Sequence, residues 1–377
     1  MRQEILDSGF IPNKICERLP ASFDDIENLA SELPKVLANE QIVERVQQLG
    51  QEKDISNLNN SELERAMLLY SYVGHAYMWG KKHVENTIPK ELATTWFAIS
   101  EKLERPPILS YASYALNNWK MLDDTKPFDL ENIVIMQNFL GGVDEDWFIM
   151  IHVAIEYEAK AILSNLKSYF LDENLDKSLL EKSLESIKKI NSIMNRMPEK
   201  CDPFIYYNRV RPYIFGWKNN PATPEGVIYE GVEDYNGEPQ LFRGETGAQS
   251  SIVPALDALL GVTHSNDPLR EYLDEMRLYM PKEHRELLNG LDEWSENKRK
   301  NLSIDEKSRM IINEIINEVH TFRDKHLEYA RVYIFEQSLT NNSNSNIVGT
   351  GGTPFMKYLD KHPVSYTHLR AHETTEH

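Results

Sequence analysis

One long helical segment near the C-terminal end constrains this chain more than any other feature. Residues 304–337 contain neither proline nor glycine. Apolar or aromatic side chains recur along the segment at a spacing of four and three residues, at Ile315, Val319, Phe322, Tyr329 and Tyr333. This spacing predicts one face of an α-helix, the face that packs inwards. His326 occupies the single position of this stripe that is not apolar.

A histidine in an inward-facing stripe needs a partner, because an unpaired buried polar group costs roughly 1–3 kcal/mol. A backbone carbonyl, a carboxylate or a metal ion would serve. Haem iron can be held by one helical histidine, which leaves its other side open for a gas and a substrate. Arg323 lies one turn before His326 and suits either a haem propionate or an ordinary ion pair. The spacing alone leaves these alternatives open.

Composition and charge narrow the class of protein. The 377 residues are 41% hydrophobic and 27% charged, which is typical of a globular protein with a substantial core. The net charge of −18 disfavours nucleic acid as a partner. No segment has the apolar length of a membrane span or of a signal peptide. With only two cysteines, we expect a cytoplasmic protein without a disulfide framework.

Helical periodicity dominates the chain and predicts an all-α fold. The expected helices cover residues 60–75, 90–104, 146–171, 176–195, 250–260, 269–279, 283–300 and 304–337, and residues 226–230 form the best strand candidate. Residues 219–249 read as a long ordered loop, and residues 339–354 as a mobile one. We place a domain boundary near Gly142, giving domains 1–141 and 142–363. Residues 364–377 read as non-native sequence.

Several common chemistries leave no signature here. The chain lacks the glycine-rich motifs of dinucleotide and phosphate binding, the nucleophile elbow of hydrolases and the paired histidines of zinc proteases. No histidine follows a glutamate by three residues, which disfavours a di-iron helical bundle. A site built on one helical histidine therefore remains the leading candidate.

Several short motifs together resemble the indoleamine 2,3-dioxygenase family. They are AYMWGKKH at 76–83, RPPILSYA at 105–112, YYNRVRPYIFGWK at 206–218, GETGAQSS at 244–251, MRLYMPKEHR at 276–285, RDKH at 323–326 and GTGGT at 349–353. The resemblance implies a smaller N-terminal and a larger C-terminal helical domain with haem b between them. It also implies cleavage of the indole C2–C3 bond of L-tryptophan by O2, giving N-formylkynurenine, as in tryptophan catabolism through kynurenine.

The resemblance carries specific roles onto this sequence. His326 would be the proximal iron ligand, Arg323 would meet a haem propionate, and Glu275 would be the acidic partner of Arg323. Thr246 and Gly247 would approach the macrocycle. The expected substrate contacts are Arg211 for the carboxylate, Thr350 for the amino-acid end, and the aromatic residues Tyr111, Trp147, Tyr206 and Phe215.

Some positions depart from the family pattern. Where the family often has a small hydroxyl residue facing the iron, an ungapped reading gives Ile151, with His152 beside it as a candidate distal group. Phe215 replaces a small polar residue, and Glu245 adds a charge to the loop near the haem. A gas sensor without turnover, or a monooxygenase acting on indoles, therefore remain alternatives. We expect the protein to bind a small indole as its substrate. We also expect it to be a monomer that does not bind membranes.

Overall fold

The computed structural model describes residues 9–50, 52–80, 86–163, 177–262, 268–297, 304–340 and 349–352. Parts of the predictions lie outside these residues: the predicted helix ends at 164–171, 176 and 298–300, residues 81–83 of the AYMWGKKH motif, residues 341–348, 353 and 354 of the predicted loop, and the tail 364–377.

The all-α prediction is confirmed. The main helices are α1 Asp24–Ser31, α2 Leu33–Ala38, α3 Ile42–Gln47, α4 Asn60–Trp79, α5 Lys90–Leu103, α6 Val143–Glu158, α7 Lys177–Met194, α8 Ile252–Leu260, α9 Pro268–Arg277, α10 Lys282–Asn297 and α11 Glu306–Ala330. All eight helices expected from the sequence are present, whereas the three short helices before residue 48 were not predicted.

Strands are few and short in the described residues. β1 Thr87–Ile88 pairs in parallel with β4 Ile228–Tyr229, and β2 Trp119–Met121 pairs antiparallel with β3 Ile133–Ile135. The strand predicted at 226–230 is therefore present but only two residues long. Its neighbourhood, the predicted long loop, contains short helical turns and the isolated bridge between Val227 and Gln240.

Helix α4 forms the centre of the N-terminal half. It begins at a capping box in which Asn59 and Glu62 exchange hydrogen bonds between side chain and backbone. Nearly every side chain from 63 to 78 is buried, so this helix is enclosed by protein on all sides. Helices α1, α2, α3 and α5 pack around it, as does the segment that carries Arg211. The domain boundary near Gly142 remains a prediction.

Helix α11 carries the stripe from which the sequence reading began. Asp305 caps its N-terminus by accepting a hydrogen bond from the backbone of Ser308. The helix packs along α7, where the Asn191 amide donates to the Glu318 carboxylate at 2.8 Å. After Ala330 the backbone widens into one π-helical turn, Arg331–Phe335, a feature frequent at functional sites.

Candidate active site

A cavity of about 560 Å³ opens between α6, α8, α9, α10 and α11. Its volume lies within the range of roughly 300–1,000 Å³ that is typical of ligand pockets. Loop residues 245–248 and the tip of the 349–352 segment complete its wall. The cavity is thus lined by the C-terminal helices together with residues of the GETGAQSS and GTGGT motifs singled out in the sequence.

His326 faces this cavity rather than the protein core. The first part of the stripe, Ile315 and Val319, is buried between helices, but Phe322, His326 and Tyr329 line the cavity. The His326 side chain is exposed to the cavity space, and no hydrogen bond or ion pair reaches it from the described residues. The expectation that the whole stripe is buried was wrong here, because helical periodicity does not distinguish a packed core from a cavity wall.

The imidazole of His326 is held neutral by its surroundings. Desolvation inside the cavity is the main cause that lowers the pKa of His326 to about 4, and the neighbouring His152 and Arg323 contribute to this lowering. A neutral imidazole offers a nitrogen lone pair, which is what a metal ligand requires.

His152 belongs to the same cavity, on the α6 wall. Its Nδ1 lies 2.7 Å from the carbonyl oxygen of Phe148, so in the neutral ring Nδ1 donates and Nε2 remains an acceptor. Burial lowers the pKa of His152 as well. The adjacent Ile151 is fully buried and does not line the cavity. Of the two residues considered for the distal position, His152 is the one that faces this space.

Arg323 and Asp257 form an ion pair in the cavity wall. Nη2 of Arg323 lies 3.3 Å from Oδ1 of Asp257, which links α11 to α8. The predicted acidic partner, Glu275, instead pairs with Lys218 and Arg243, each at 2.7 Å. That prediction was wrong, because Glu275 lies on α9 facing the loop residues that follow the Arg211 segment.

The loop at 244–248 approaches the cavity closely. A Cβ atom at Gly244 would come within 3 Å of the backbone of Gly216, Ile214 and Thr350, so only glycine fits at this crossing. Gly247 has open space where a side chain would lie, and it lines the cavity with Thr246. The Thr246 hydroxyl accepts a hydrogen bond from the backbone of Ala248, which fixes the short turn.

Residues 349–352 are docked against this loop. The Thr350 hydroxyl donates to the carbonyl oxygen of Glu245 at 2.5 Å, and the Thr350 carbonyl accepts from the backbone N–H of Gly216. Arg243 and Asn219 donate to the carbonyl oxygens of Gly351 and Gly352. Gly349 and Thr350 line the cavity, so the described part of the predicted 339–354 loop lies at the site.

Arg211 lies behind the cavity wall and does not line the cavity. Its guanidinium lies between the rings of Tyr207 and Phe215, at 5.3 and 5.2 Å from their centroids. Burial lowers the pKa of Arg211. Phe215 likewise does not line the cavity, and its carbonyl oxygen accepts the indole N–H of Trp79.

A histidine that the sequence reading did not single out supports the Arg211 segment. His75 is buried on α4, where one ring nitrogen lies 2.7 Å from the carbonyl oxygen of Tyr213 and the other accepts the backbone N–H of Leu109. Burial lowers its pKa to about 4. Because both ring nitrogens are satisfied, His75 is a structural residue that ties α4 to the segment containing Arg211.

The predicted aromatic contacts separate into two groups. Tyr206 lines the cavity and packs on Phe148, with ring centroids 4.6 Å apart. Trp147 points elsewhere, since its indole N–H donates to the Arg196 carbonyl and Lys200 lies 4.5 Å over its ring. Neither Trp147 nor Tyr111 lines the cavity.

Tyr111 stands directly behind His152 in a buried polar network. The two rings meet edge to face at 5.9 Å. The Tyr111 hydroxyl bonds to Glu156 and Ser250, and the Ser250 hydroxyl donates to Glu156 at 2.6 Å. Glu156 is fully buried, and this burial raises its pKa to about 7. Nothing in the sequence pointed to Glu156, which belongs to no motif, and the GETGAQSS motif contains Ser250 without indicating its distant partner.

Comparison with known proteins matches this architecture over nearly the whole chain. The profile of the family described as indoleamine 2,3-dioxygenase matches residues 4–363. The chain belongs to the indoleamine 2,3-dioxygenase family. It is 34% identical to indoleamine 2,3-dioxygenase 1 of Rattus norvegicus, over 94% of this chain and 91% of the rat protein. It is also 29% identical to the Saccharomyces cerevisiae indoleamine 2,3-dioxygenase, over 88% of this chain and 84% of the yeast protein.

Membership of the indoleamine 2,3-dioxygenase family confirms the resemblance drawn from the short motifs, and with it the assignment to the dioxygenases. Among the described residues, no helix combines the length and the apolar composition that crossing a membrane requires. The individual roles expected for the site residues remain predictions. Of these residues, the cavity brings together His326, Arg323, His152, Thr246, Gly247, Tyr206 and Thr350.

Proposed function

We propose that this protein is a haem-dependent dioxygenase that cleaves the C2–C3 bond of L-tryptophan, or of a related indoleamine, with O2. The observation that carries the proposal is the His326 imidazole, which opens onto the cavity without a protein partner in the described residues. An imidazole at such a position lacks the hydrogen bonds that a structural histidine makes, as His75 does. A metal ligand explains its orientation.

The residues present fit haem b. His326 would hold the iron, and the cationic Arg323 beside it suits a propionate, while Asp257 orients its guanidinium. Gly247 leaves open space at the wall, which a flat macrocycle can approach. When bound, the haem would supply the iron that activates O2 for insertion into the indole.

The protein's own tasks are to bind, orient and enclose the substrate. Tyr206 and Phe148 offer aromatic faces to the indole ring from the cavity wall. His152 presents an acceptor nitrogen, Nε2, because its Nδ1 is engaged with the Phe148 carbonyl. We assign the substrate's amino-acid end to Thr350 and Arg211, and the docked 349–352 segment excludes water from that end.

The proposal is tested by turnover. Haem-reconstituted protein is reduced without oxygen, mixed with L-tryptophan and exposed to isotopically labelled O2. We expect N-formylkynurenine that carries label in both inserted oxygen atoms. A stable oxygenated protein with unchanged tryptophan would contradict the proposal and favour a gas sensor, and a product with a single labelled oxygen would favour a monooxygenase.

A further inference from the structure

We propose that Glu245 forms a polar specificity subsite, which accepts a hydrogen bond from a donor group on the ring of the indole substrate. The ligand class is a ring-hydroxylated tryptophan or the corresponding amine. This inference rests on the proposed function, because it concerns the same cavity and the same kind of substrate.

The first observation is that the Glu245 carboxyl lies in the cavity wall without a partner. The residue is only 3% exposed, and it lines the cavity. In the described residues, no group donates a hydrogen bond to this carboxyl or forms an ion pair with it. Burying a carboxyl without a partner is unfavourable, and such groups concentrate at functional sites.

The second observation is that the loop does not need this side chain. The backbone N–H of Glu245 donates to the carbonyl oxygen of Ile214, and its own carbonyl oxygen accepts the Thr350 hydroxyl. The loop is therefore fixed through the backbone of residue 245. A structural role for the carboxyl would require a contact that the described residues do not make.

The third observation is that Glu245 shares the cavity wall with the aromatic residues Phe148 and Tyr206. Its charge acts on Tyr206, Tyr114 and Tyr111, and adds to the effect of burial in raising the pKa of each phenol. Tyr114 lies behind Phe148, with ring centroids 6.3 Å apart, and within the described part of the chain its buried hydroxyl also has no hydrogen-bond partner. This part of the cavity wall is therefore mainly aromatic, but the Glu245 carboxyl and the Tyr114 hydroxyl have no hydrogen-bond partner among the described residues.

Together these features define what the subsite would select. The indole ring, rather than the amino-acid end, would lie against Tyr206 and Phe148. A ring hydroxyl reaching Glu245 would satisfy the carboxyl, whereas a bare ring would leave it buried and unpaired. Sites built to hydrogen-bond a substrate hydroxyl reject the analogue that lacks it much more strongly than apolar pockets reject an extra group.

The test compares ligands that differ only in donor capacity. Hydroxytryptophans are paired with fluorotryptophans substituted at the same ring position, since fluorine is small but donates no hydrogen bond. Dissociation constants are measured by calorimetry on the haem-loaded, oxidised protein without reductant, so that no turnover occurs. We expect the hydroxylated ligand to bind about 10-fold or more tightly at one ring position.

Variants of Glu245 then assign the preference. In Glu245→Leu the ratio of the two dissociation constants should fall to about one, because the acceptor is gone. Glu245→Gln should keep part of the preference, because its amide oxygen still accepts. Glu296→Leu removes a carboxyl from the exposed rim of the same cavity and should leave the ratio unchanged. Thermal melting of each variant checks that it is folded.

Two results would overturn the inference. One is a ratio near one at every ring position of the unmodified protein, and the other is a preference that survives in Glu245→Leu. Failure of tryptophan cleavage, with the binding preference intact, would contradict the proposed reaction but not this subsite. The two proposals are therefore separable.

Discussion

The guanidinium of Arg323 lies 3.3 Å from the carboxylate of Asp257, in the cavity wall and one helical turn before His326. Both side chains are largely buried, at 8% and 11% exposure, so the pair is only weakly screened by solvent. It joins α8 to α11, the helix that carries the proposed iron ligand. Loss of this ion pair should therefore change both the stability of the cavity wall and the position of His326.

We predict that Asp257→Asn destabilises the haem-free protein by about 2 kcal/mol, less than for a fully enclosed pair because both residues border the cavity. A double-mutant cycle with Arg323→Met, measured by denaturant unfolding, should show coupling between the two sites. A second double-mutant cycle, between Arg323 and Glu275, serves as the control, because Glu275 pairs with Lys218 and Arg243 instead. Coupling to Glu275 but not to Asp257 would contradict the pairing.

His326→Ala should abolish stoichiometric haem binding, whereas His152→Ala should retain it. Removal of a direct iron ligand should weaken binding by more than the roughly 10–100-fold that loss of a supporting group behind a metal ligand costs. Haem titration followed by Soret absorbance measures both variants. Added imidazole should restore the band in His326→Ala, because it can occupy the vacated space. Normal haem affinity in that variant would rule out the assignment of the ligand.

Long periodic segments were the predictable part of the fold. The existence of α11 and α4 was predictable because the local sequence of each, a stripe in α11 and a nearly continuous run in α4, already contains the apolar residues that become buried. Helices α1, α2 and α3 have only six to eight residues each, too few for a periodic pattern to stand out. The paired strands β2 and β3 have three residues each, which is likewise too few for a pattern to be recognised in the sequence.

The candidate site was predictable only where a motif carried it. The GTGGT and GETGAQSS motifs pointed to Thr350 and Thr246, and the structure brings both to the cavity. Tertiary relationships were not accessible in the same way. The pairing of Arg323 with Asp257 joins residues 66 positions apart, and the enclosure of Arg211 between two rings depends on side-chain orientation.

Arg211→Ala should lower kcat/KM for tryptophan by roughly 10- to 100-fold, which corresponds to loss of a charged hydrogen bond of about 1.5–3 kcal/mol. Because the guanidinium lies between Tyr207 and Phe215 without lining the cavity, it must turn inwards to reach a carboxylate. Tryptamine, which lacks the carboxylate, should be affected far less. Arg209→Ala is the matched control, since Arg209 is exposed two residues earlier. Equal losses for both substrates would argue against a carboxylate clamp.

The buried carboxyl of Glu156 should make stability depend on pH. Burial raises its pKa to about 7 in the folded protein, whereas an unfolded glutamate titrates near about 4.3. Between these values the folded state holds a proton that the unfolded state has lost, so the free energy of unfolding falls as pH rises. Above pH about 7 Glu156 is ionised in both states, so its protonation no longer contributes to the free energy of unfolding.

Glu156→Gln removes this titration while keeping an oxygen that can accept the Ser250 hydroxyl. We expect the variant to gain about 2 kcal/mol relative to the unmodified haem-free protein between pH about 5.5 and about 7.5. Denaturant unfolding at both pH values measures the change. Glu104→Gln is the control, because the neighbouring Lys282 holds the pKa of that exposed carboxyl below its usual value, so it titrates below this window. If the free energies of unfolding of Glu156→Gln and of the unmodified protein differ by the same amount at both pH values, Glu156 is already ionised at the lower pH.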